Sequence, residues 1–539
     1  MTRPNVLLLM ADQLRWDAVG AYRRSSRGPG DTIVQTPHLD RLAEEGVRFE
    51  RAYATNPFCM PARASVLTGR WPHAHGVWDN RVNLPPETPT LATILAAHGY
   101  RTGIVGKGHL DTHLGWDDPQ RAETWHGPYY GFAEAQEIVG HNSAAGHYGA
   151  WLRREHPEAV PLLRRDHALE PPIGGAWKSA LPVELHSSTW VADRSIEFIH
   201  RAAARGSGGG EAGSTKPFFL WASFPDPHPP FCPPRPYCDL YDPADMPEPV
   251  RRRGELADKP AFFRNEADAW ESGWRPYGPI PGADENRNPD HDRVRKAYYY
   301  GMTALVDHSI GRILAALDET GQRANTIVVY VSDHGEMLGD HWLDNKGPWH
   351  YDGSARVPLL LRYPAACPAG RVVSDLVSQA DIAPTICDLA GGPSGERAIP
   401  YTSWPPRPPA HPGGECDGRT LPNVQGISLV PAMRGEGPAR AGVLIEHELK
   451  FVPGLSFKTL RTADYRITCY AGRPYGELYD LRADPDEFVN RWDDQENRHI
   501  RADLTAALLD EVLRTESRWL TRSGPSQSDR EGGLIKRNQ

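Results

Sequence analysis

The residues best equipped for chemistry fall in five short stretches scattered along the chain. The richest is Asn56–Arg70, Asn-Pro-Phe-Cys-Met-Pro-Ala-Arg-Ala-Ser-Val-Leu-Thr-Gly-Arg. Pro61 suits the first turn of a helix, where its missing N–H costs nothing, and Gly69 suits the end of one. Cys59 is then expected just before that helix, where unpaired N–H groups and the helix field favour an anion. Arg63, one turn further on, can reach back towards it. A nucleophile, a fixed cation and a helix N-terminus together suit a tetrahedral oxyanion such as sulfate or phosphate. Asp12 and Gln13 offer a carboxylate and an amide oxygen, both suited to a divalent cation. Lys107 can carry a point charge to an anion, and His109 can exchange protons near neutral pH. His228 stands in the proline-stiffened run Pro225-Asp-Pro-His-Pro-Pro-Phe231. Asp333-His334 follows a β-branched run, and Asn80 is a polar contact available to a substrate. Each has an ordinary counterpart when read alone: a buried thiol, a solvated loop aspartate, a packing histidine.

The pattern between these stretches says what holds them. Asn5–Met10, Val47–Ala54, Tyr100–Val105, Pro217–Phe224 and Thr326–Val331 are short apolar runs, expected of strands buried in a sheet. Four of the chemical stretches begin where such a run stops. In open α/β sheets ligands gather beyond the carboxyl ends of the strands. Helices are expected over Thr36–Gly46, Thr90–His98, Ser187–Arg205, Asp292–Thr320, Asp381–Ala390 and Ala502–Glu516. Ala355–Tyr363 reads as a further strand whose pairing Pro358 disturbs, and Gly442–Glu446 as a return to the main sheet. Ser456–Tyr470 and Gly476–Leu481 read as a smaller antiparallel unit, closed by an amphipathic last helix. Residues 111–185 and 232–289 have poor periodicity and many aromatics, expected of excursions that shape a substrate pocket. Gly206–Thr215, Pro393–Pro422 and the tail after Arg522 read as exposed loop or tail.

At 539 residues the chain is long enough for a large core and more than one domain. Sixty basic against 69 acidic residues, a formal charge of −9, argue against general nucleic-acid affinity. No leader pattern and no long apolar span is visible, so a protein of the cytoplasm, with no membrane partner, is expected. The seven cysteines have no paired metal spacing and do not resemble a disulfide framework.

Cys59-Met60-Pro61-Ala62-Arg63 resembles the Cys-x-Pro-x-Arg motif of the sulfatase family, which usually has a small residue where Ala62 stands. Gly106-Lys107-Gly108-His109 is similar to a second motif of that family, Pro227-His228-Pro229-Pro230-Phe231 to a third, and Ser332-Asp333-His334-Gly335-Glu336 to a fourth. Lys346 matches the family's second sulfate-binding lysine. The resemblance implies an alkaline-phosphatase-like α/β fold, with a large mixed sheet between helices and a smaller C-terminal α+β domain. Residues 1–440 are expected to form the catalytic domain and 441–539 the small one. It implies that a maturation enzyme oxidises Cys59 to formylglycine, whose hydrated aldehyde attacks sulfur. Asp12, Gln13, residue 59, Asp333 and His334 would hold one divalent cation. Arg63 and Lys107 would offset charge, Asp333 would accept the proton of the attacking hydroxyl, His228, helped by Lys346, would protonate the departing alcohol, and His109 would release the sulfated enzyme. Asn80, Lys107, His228 and Lys346 would contact a small-molecule sulfate ester. Glu336 and His341 are read as structural.

Many sulfatases have Asp-Asp and Asp-Asn where this chain has Asp12-Gln13 and Asp333-His334. The pairs here resemble the choline sulfatase and phosphonate monoester hydrolase branches. Calcium suits the oxygen donors, and His334 shifts the balance towards manganese. Phosphonate monoester hydrolases lack the Lys107/His109 pair, which favours sulfate esters over the alternative substrates, phosphonate monoesters and phosphodiesters. A second alternative is an unmodified, non-catalytic anion-binding protein; nothing resembles the local signatures of thiol proteases. The alcohol carrying the sulfate and the oligomeric state, a homo-oligomer included, are not legible.

Overall fold

The computed structural model describes residues 3–26, 33–112, 119–204, 216–260, 263, 288–391, 399, 401–403, 421–437, 440–448 and 455–516. Eight strands form the main sheet: β1 (Asn5–Ala11), β2 (Val47–Tyr53), β3 (Arg101–Gly106), β4 (Glu134–Glu137), β5 (Phe218–Phe224), β6 (Thr326–Ser332), β7 (Arg356–Arg362) and β8 (Arg371–Ser378). Their order is β4-β3-β5-β1-β6-β7-β2-β8. Only β7 runs against its neighbours, pairing antiparallel with β6 and β2. The carboxyl ends of β1, β2, β3, β5 and β6 therefore open on one edge, and that edge is where the chemical stretches begin.

β1 shows why these runs become central strands. Val6, Leu8 and Met10 enter one hydrophobic layer, Leu7, Leu9 and Ala11 the other. An apolar run with alternate side chains buried on opposite faces is stable only with helices on both sides. The helix Pro289–Glu319 and Ser187–Ala204 cover one layer, while Cys59–Thr68, Leu91–Ala97 and Ile382–Leu389 lie over the other. Pro358 lies inside β7, and β2 shifts register there between Phe49 and Ala52, so the expected disturbance is a bulge.

Gly106 ends β3 at φ 107, and a Cβ there would lie 1.8 Å from the Ser223 carbonyl oxygen. Only glycine can turn the chain at this point, one residue before Lys107.

β9 (Tyr401–Ser403) and β10 (Leu421–Val424) form a parallel pair. β11 (Gly442–Glu448), β12 (Ser456–Thr462), β13 (Tyr465–Tyr470) and β14 (Gly476–Asp480) form a separate antiparallel sheet in sequence order. Gly442–Glu446 thus does not return to the main sheet. β11 instead pairs along its whole length with β12, which satisfies its backbone within the small unit. Trp71 Nε1 donates to the Leu444 carbonyl at 2.9 Å and ties that unit to the loop after the Cys59 helix.

The last helix, Arg498–Thr515, is only partly amphipathic. Leu504, Leu508 and Val512 meet the small sheet, but Leu509 and Leu513 are more than half exposed. The excursion 111–185 contains β4 and the helix Gly146–Glu155, neither expected from periodicity. Its Trp177 and His141 donate to the carbonyls of Phe231 and Pro230, so it rests on the His228 loop. In the stretch read as the exposed loop 393–422, Ile399 and Leu421 are buried in the core. The rest of that stretch, apart from β9 and Pro422 in β10, and all of Gly206–Thr215 and the tail after Arg522, lie outside the described residues. Among the described residues no helix is long and apolar enough to cross a membrane.

Candidate active site

Cys59 is the first residue of its helix, not the one before it. Phe58 holds the N-cap position with an extended ψ of 148°. The side-chain oxygens of Asn56 and Asn80 accept from the N–H groups of Phe58 (2.8 Å) and Met60 (2.9 Å). Asn80 therefore anchors the helix start, with its Nδ2 4.0 Å from Cys59 Sγ. Gly69 ends the helix in the left-handed region, as its position suggested.

Around Cys59 Sγ stand His334 Nε2 at 3.2 Å, Lys346 Nζ at 3.3 Å, Asp12 Oδ1 at 3.8 Å and Lys107 Nζ at 4.0 Å. One ligand atom from each of Asp12, Cys59, Asp333 and His334 lies within 4.8 Å of all the others, and all four residues are buried. Gln13 turns back at φ 64, a backbone conformation that costs energy for a residue with a side chain. Its Oε1 accepts from Lys346 Nζ at 2.8 Å.

Arg63 is fully buried and holds the carboxylates in place. Its Nε donates to Asp333 Oδ2 at 2.8 Å, its Nη2 to Asp12 Oδ2 at 3.3 Å and its Nη1 to Ser223 Oγ at 2.9 Å. It reaches across the sheet edge rather than back over its own helix. Lys107 Nζ pairs with the same Asp12 oxygen. Asp333 Oδ1 accepts from the backbone N–H groups of Gln13 and His334, each at 2.9 Å.

These partners decide the charges. Burial pushes the Asp12 carboxyl up, but the charges of Lys107, Arg63 and Lys346 outweigh it and hold it well below its ordinary range. Burial and Asp12 push the Cys59 thiol up; Lys107, Lys346 and His334 prevail and lower it. Burial lowers the proton affinity of His334, and Asp333 and Cys59 more than restore it. Arg63 and Lys107 pair with the carboxylates, and Lys107 and Lys346 stand beside the Cys59 sulfur, where they can meet an anion.

The donor chemistry fits a divalent cation. His334 Nδ1 donates to the Gly335 carbonyl at 2.9 Å, which turns the Nε2 lone pair towards Cys59 and the carboxylates. Two carboxylates, one imidazole and the Cys59 sulfur converge, and the Gln13 amide oxygen shares Lys346 Nζ with that sulfur.

His228 is also reached by Lys346, whose Nζ lies 2.7 Å from Nε2. His228 Nδ1 donates to the Pro229 carbonyl at 2.7 Å. Burial and Lys346 hold this imidazole well below its ordinary pKa. It is therefore neutral, with Nε2 accepting from the lysine. His109 follows Lys107 by two residues, half-buried at φ 51. The neighbouring Gly108 N–H donates to Glu137, a fully buried residue of β4. His73 and His75 are structural: His73 Nδ1 meets Glu446 at 2.7 Å, and His75 Nε2 meets Ser65 at 3.0 Å.

Two contacts of Gln13 were not visible in the sequence. Glu336, read as structural, and Asn345 both touch the Gln13 amide. No spacing signals this, because the contact exists only once residues 337–345 fold back over β1. Leu338, His341, Trp342 and Asn345 all have positive φ along that loop, and it delivers Lys346.

Residues 4–392 match the sulfatase family model. The chain is 32% identical over 407 residues to an arylsulfatase of Clostridium perfringens, covering 72% of this chain and 75% of that one. It is 29% identical to the multifunctional alkaline phosphatase superfamily protein PehA of Trinickia caryophylli over the full length of both. In structure it resembles the phosphonate monoester hydrolase of Agrobacterium radiobacter, with TM-score 0.73, 28% identity and coverage of 98% and 99%.

Proposed function

Since the chain belongs to the sulfatase family, we propose that it hydrolyses sulfate monoesters of small molecules at the Cys59 site. The observation that carries this reading is the meeting of Asp12, Cys59, Asp333 and His334 within 4.8 Å, with Lys107 and Lys346 beside the sulfur. Oxidised to formylglycine by a maturation enzyme, residue 59 would supply a hydrated aldehyde as nucleophile, and a cation held by Asp12, Gln13, Asp333 and His334 would acidify it. We assign calcium, on the oxygen donors; the imidazole is the donor that would favour manganese, and elemental analysis of the purified protein decides between them.

The chain's own residues do the rest. Arg63 bridges Asp12 and Asp333 and offsets their repulsion beside residue 59. Lys107 and Lys346 take up charge on the sulfuryl oxygens, in a site from which water is largely excluded. Asn80 fixes the helix start and faces the substrate beside it. The proton for the departing alcohol resides on Lys346, because neutral His228 has its one N–H on Pro229 and accepts at Nε2. His228 holds that ammonium in place through Nε2, and Lys346 gives its proton to the departing oxygen and becomes a neutral amine. His109 takes the proton that frees sulfate from residue 59.

A phosphonate monoester or phosphodiester substrate is the second reading. The full-length likeness to a phosphonate monoester hydrolase and the Asp12-Gln13 and Asp333-His334 pairs favour it. Lys107, buried on Asp12, speaks for sulfate. Turnover of p-nitrophenyl sulfate and a phenyl phosphonate monoester by one metal-loaded preparation separates the two. Faster sulfate turnover is expected; equal or faster phosphonate turnover would overturn the assignment.

A further inference from the structure

Gln13 is the neutral oxygen donor of the proposed cation site, and a carboxamide poses a problem that a carboxylate does not. Its two ends have nearly the same shape, but only the oxygen can bind a cation. Something must hold the amide the right way round.

The structure supplies two acceptors on one side of it and a donor on the other. Gln13 Nε2 donates to the Glu336 carboxylate and, at 2.9 Å, to Asn345 Oδ1. Asn345 Oδ1 also accepts from the Lys346 N–H at 3.1 Å, so the orientation of that second amide is fixed in turn. Glu336 Oε1 accepts from the N–H groups of Leu338 and Asn345. Each described partner of the Glu336 side chain donates to it, so its oxygens act as acceptors. On the opposite side Gln13 Oε1 receives the Lys346 ammonium. A flipped Gln13 would set its oxygen against a carboxylate and a carbonyl, and its NH2 against an ammonium. Both Gln13 and Glu336 are fully buried, so water does not soften that mismatch.

We infer that Glu336 and Asn345 are positioning residues, which clamp the Gln13 carboxamide with its oxygen towards the cation. The inference rests on the reading that Gln13 faces the ion, and it needs no turnover to be tested.

The test is calorimetric titration of the chelator-treated full-length protein with Mn²⁺ and, separately, Ca²⁺. The variants are Gln13→Ala, Glu336→Gln, Asn345→Ala and the double variant Gln13→Ala/Glu336→Gln. Removing a partner that orients a ligand weakens metal binding by roughly 10–100-fold. Glu336→Gln and Asn345→Ala should each lose about tenfold. Glu336→Gln should lose nothing further once Gln13 is alanine, because the group it orients is gone. Asn345→Ala carries the test if Glu336→Gln fails to fold. Full affinity in both single variants, beside weakened binding in Gln13→Ala, would overturn the clamp alone. Equal losses from Glu336→Gln with and without Gln13 would also overturn it, because Glu336 would then act through the fold. Unchanged binding in Gln13→Ala would overturn the clamp and the ligand reading together.

Discussion

Replacing Arg63 with alanine removes a side chain that donates hydrogen bonds to both carboxylates of the site. Arg63 and its two partners have no exposed surface, so no solvent replaces the lost contacts. Breaking a buried ion pair by deleting one partner costs about 3–5 kcal/mol. Asp12 keeps Lys107, and Asp333 keeps two backbone N–H donors, so one such loss is the fair count. Leaving Ser223 Oγ without its donor falls within the same range. An unfolding entropy of about 2.1 cal/mol/K per residue over 539 residues is roughly 1.1 kcal/mol/K, so a loss of about 4 kcal/mol lowers the midpoint by about 4 °C. A bound divalent cation would neutralise the same two carboxylates and reduce the deficit. Thermal unfolding followed by calorimetry, in chelator and then in saturating Ca²⁺, reads both numbers. The reasoning predicts the larger drop in chelator. An unchanged midpoint in chelator, or a drop that grows when the ion is present, would refute it.

Four further outcomes are expected. Lys346→Met should lower kcat on alkyl sulfates by roughly 10²–10⁴-fold and on p-nitrophenyl sulfate far less, since an acidic phenol departs without a proton. The same substitution should raise the His228 pKa, read by NMR, because the ammonium that depresses it is gone. Stripping the resident ion should lower the midpoint by about 2 °C relative to protein held at 100 times the dissociation constant, an effect of about 2.7 kcal/mol, and returning the ion should reverse it. Asp307 accepts the N–H groups of His38 and Leu39, and burial pushes its carboxyl from 3.8 to about 7. A folded pKa raised above the unfolded one lends stability that is complete below the unfolded value, falls as pH rises, and is gone above about 7. Asp307→Asn should flatten the decline in unfolding midpoint between pH 4 and pH 7, a window set by those two values.

The sheet and most of its site were legible because the strands that carry them are buried on both faces. Runs such as Asn5–Ala11 and Phe218–Phe224 announce themselves by composition, and the functional residues begin where the runs end. The edge strands were not legible. Glu-Ala-Gln-Glu in β4 and Arg-Val-Val-Ser-Asp-Leu-Val-Ser in β8 mix polar and apolar residues, as strands with one open edge do. Gly442–Glu446 misled for the opposite reason. Its Val-Leu-Ile core is as apolar as a central strand, and no local pattern says which sheet it joins. Lys346 could be placed only by family resemblance, since the loop before it has no periodicity and several left-handed residues. Glu336 and Asn345 were invisible because their role depends on that loop closing over Gln13. Arg63 was expected to reach back towards Cys59; its hydrogen bonds go to the two carboxylates clustered with Cys59, Asp12 and Asp333.

The most direct measurement is the mass of the tryptic peptide bearing residue 59, taken from protein purified from its native host and paired with sulfate-ester turnover by that same preparation. The account predicts an aldehyde in place of the thiol, in a fraction that tracks activity from batch to batch. Full activity from protein whose residue 59 is still cysteine would contradict it.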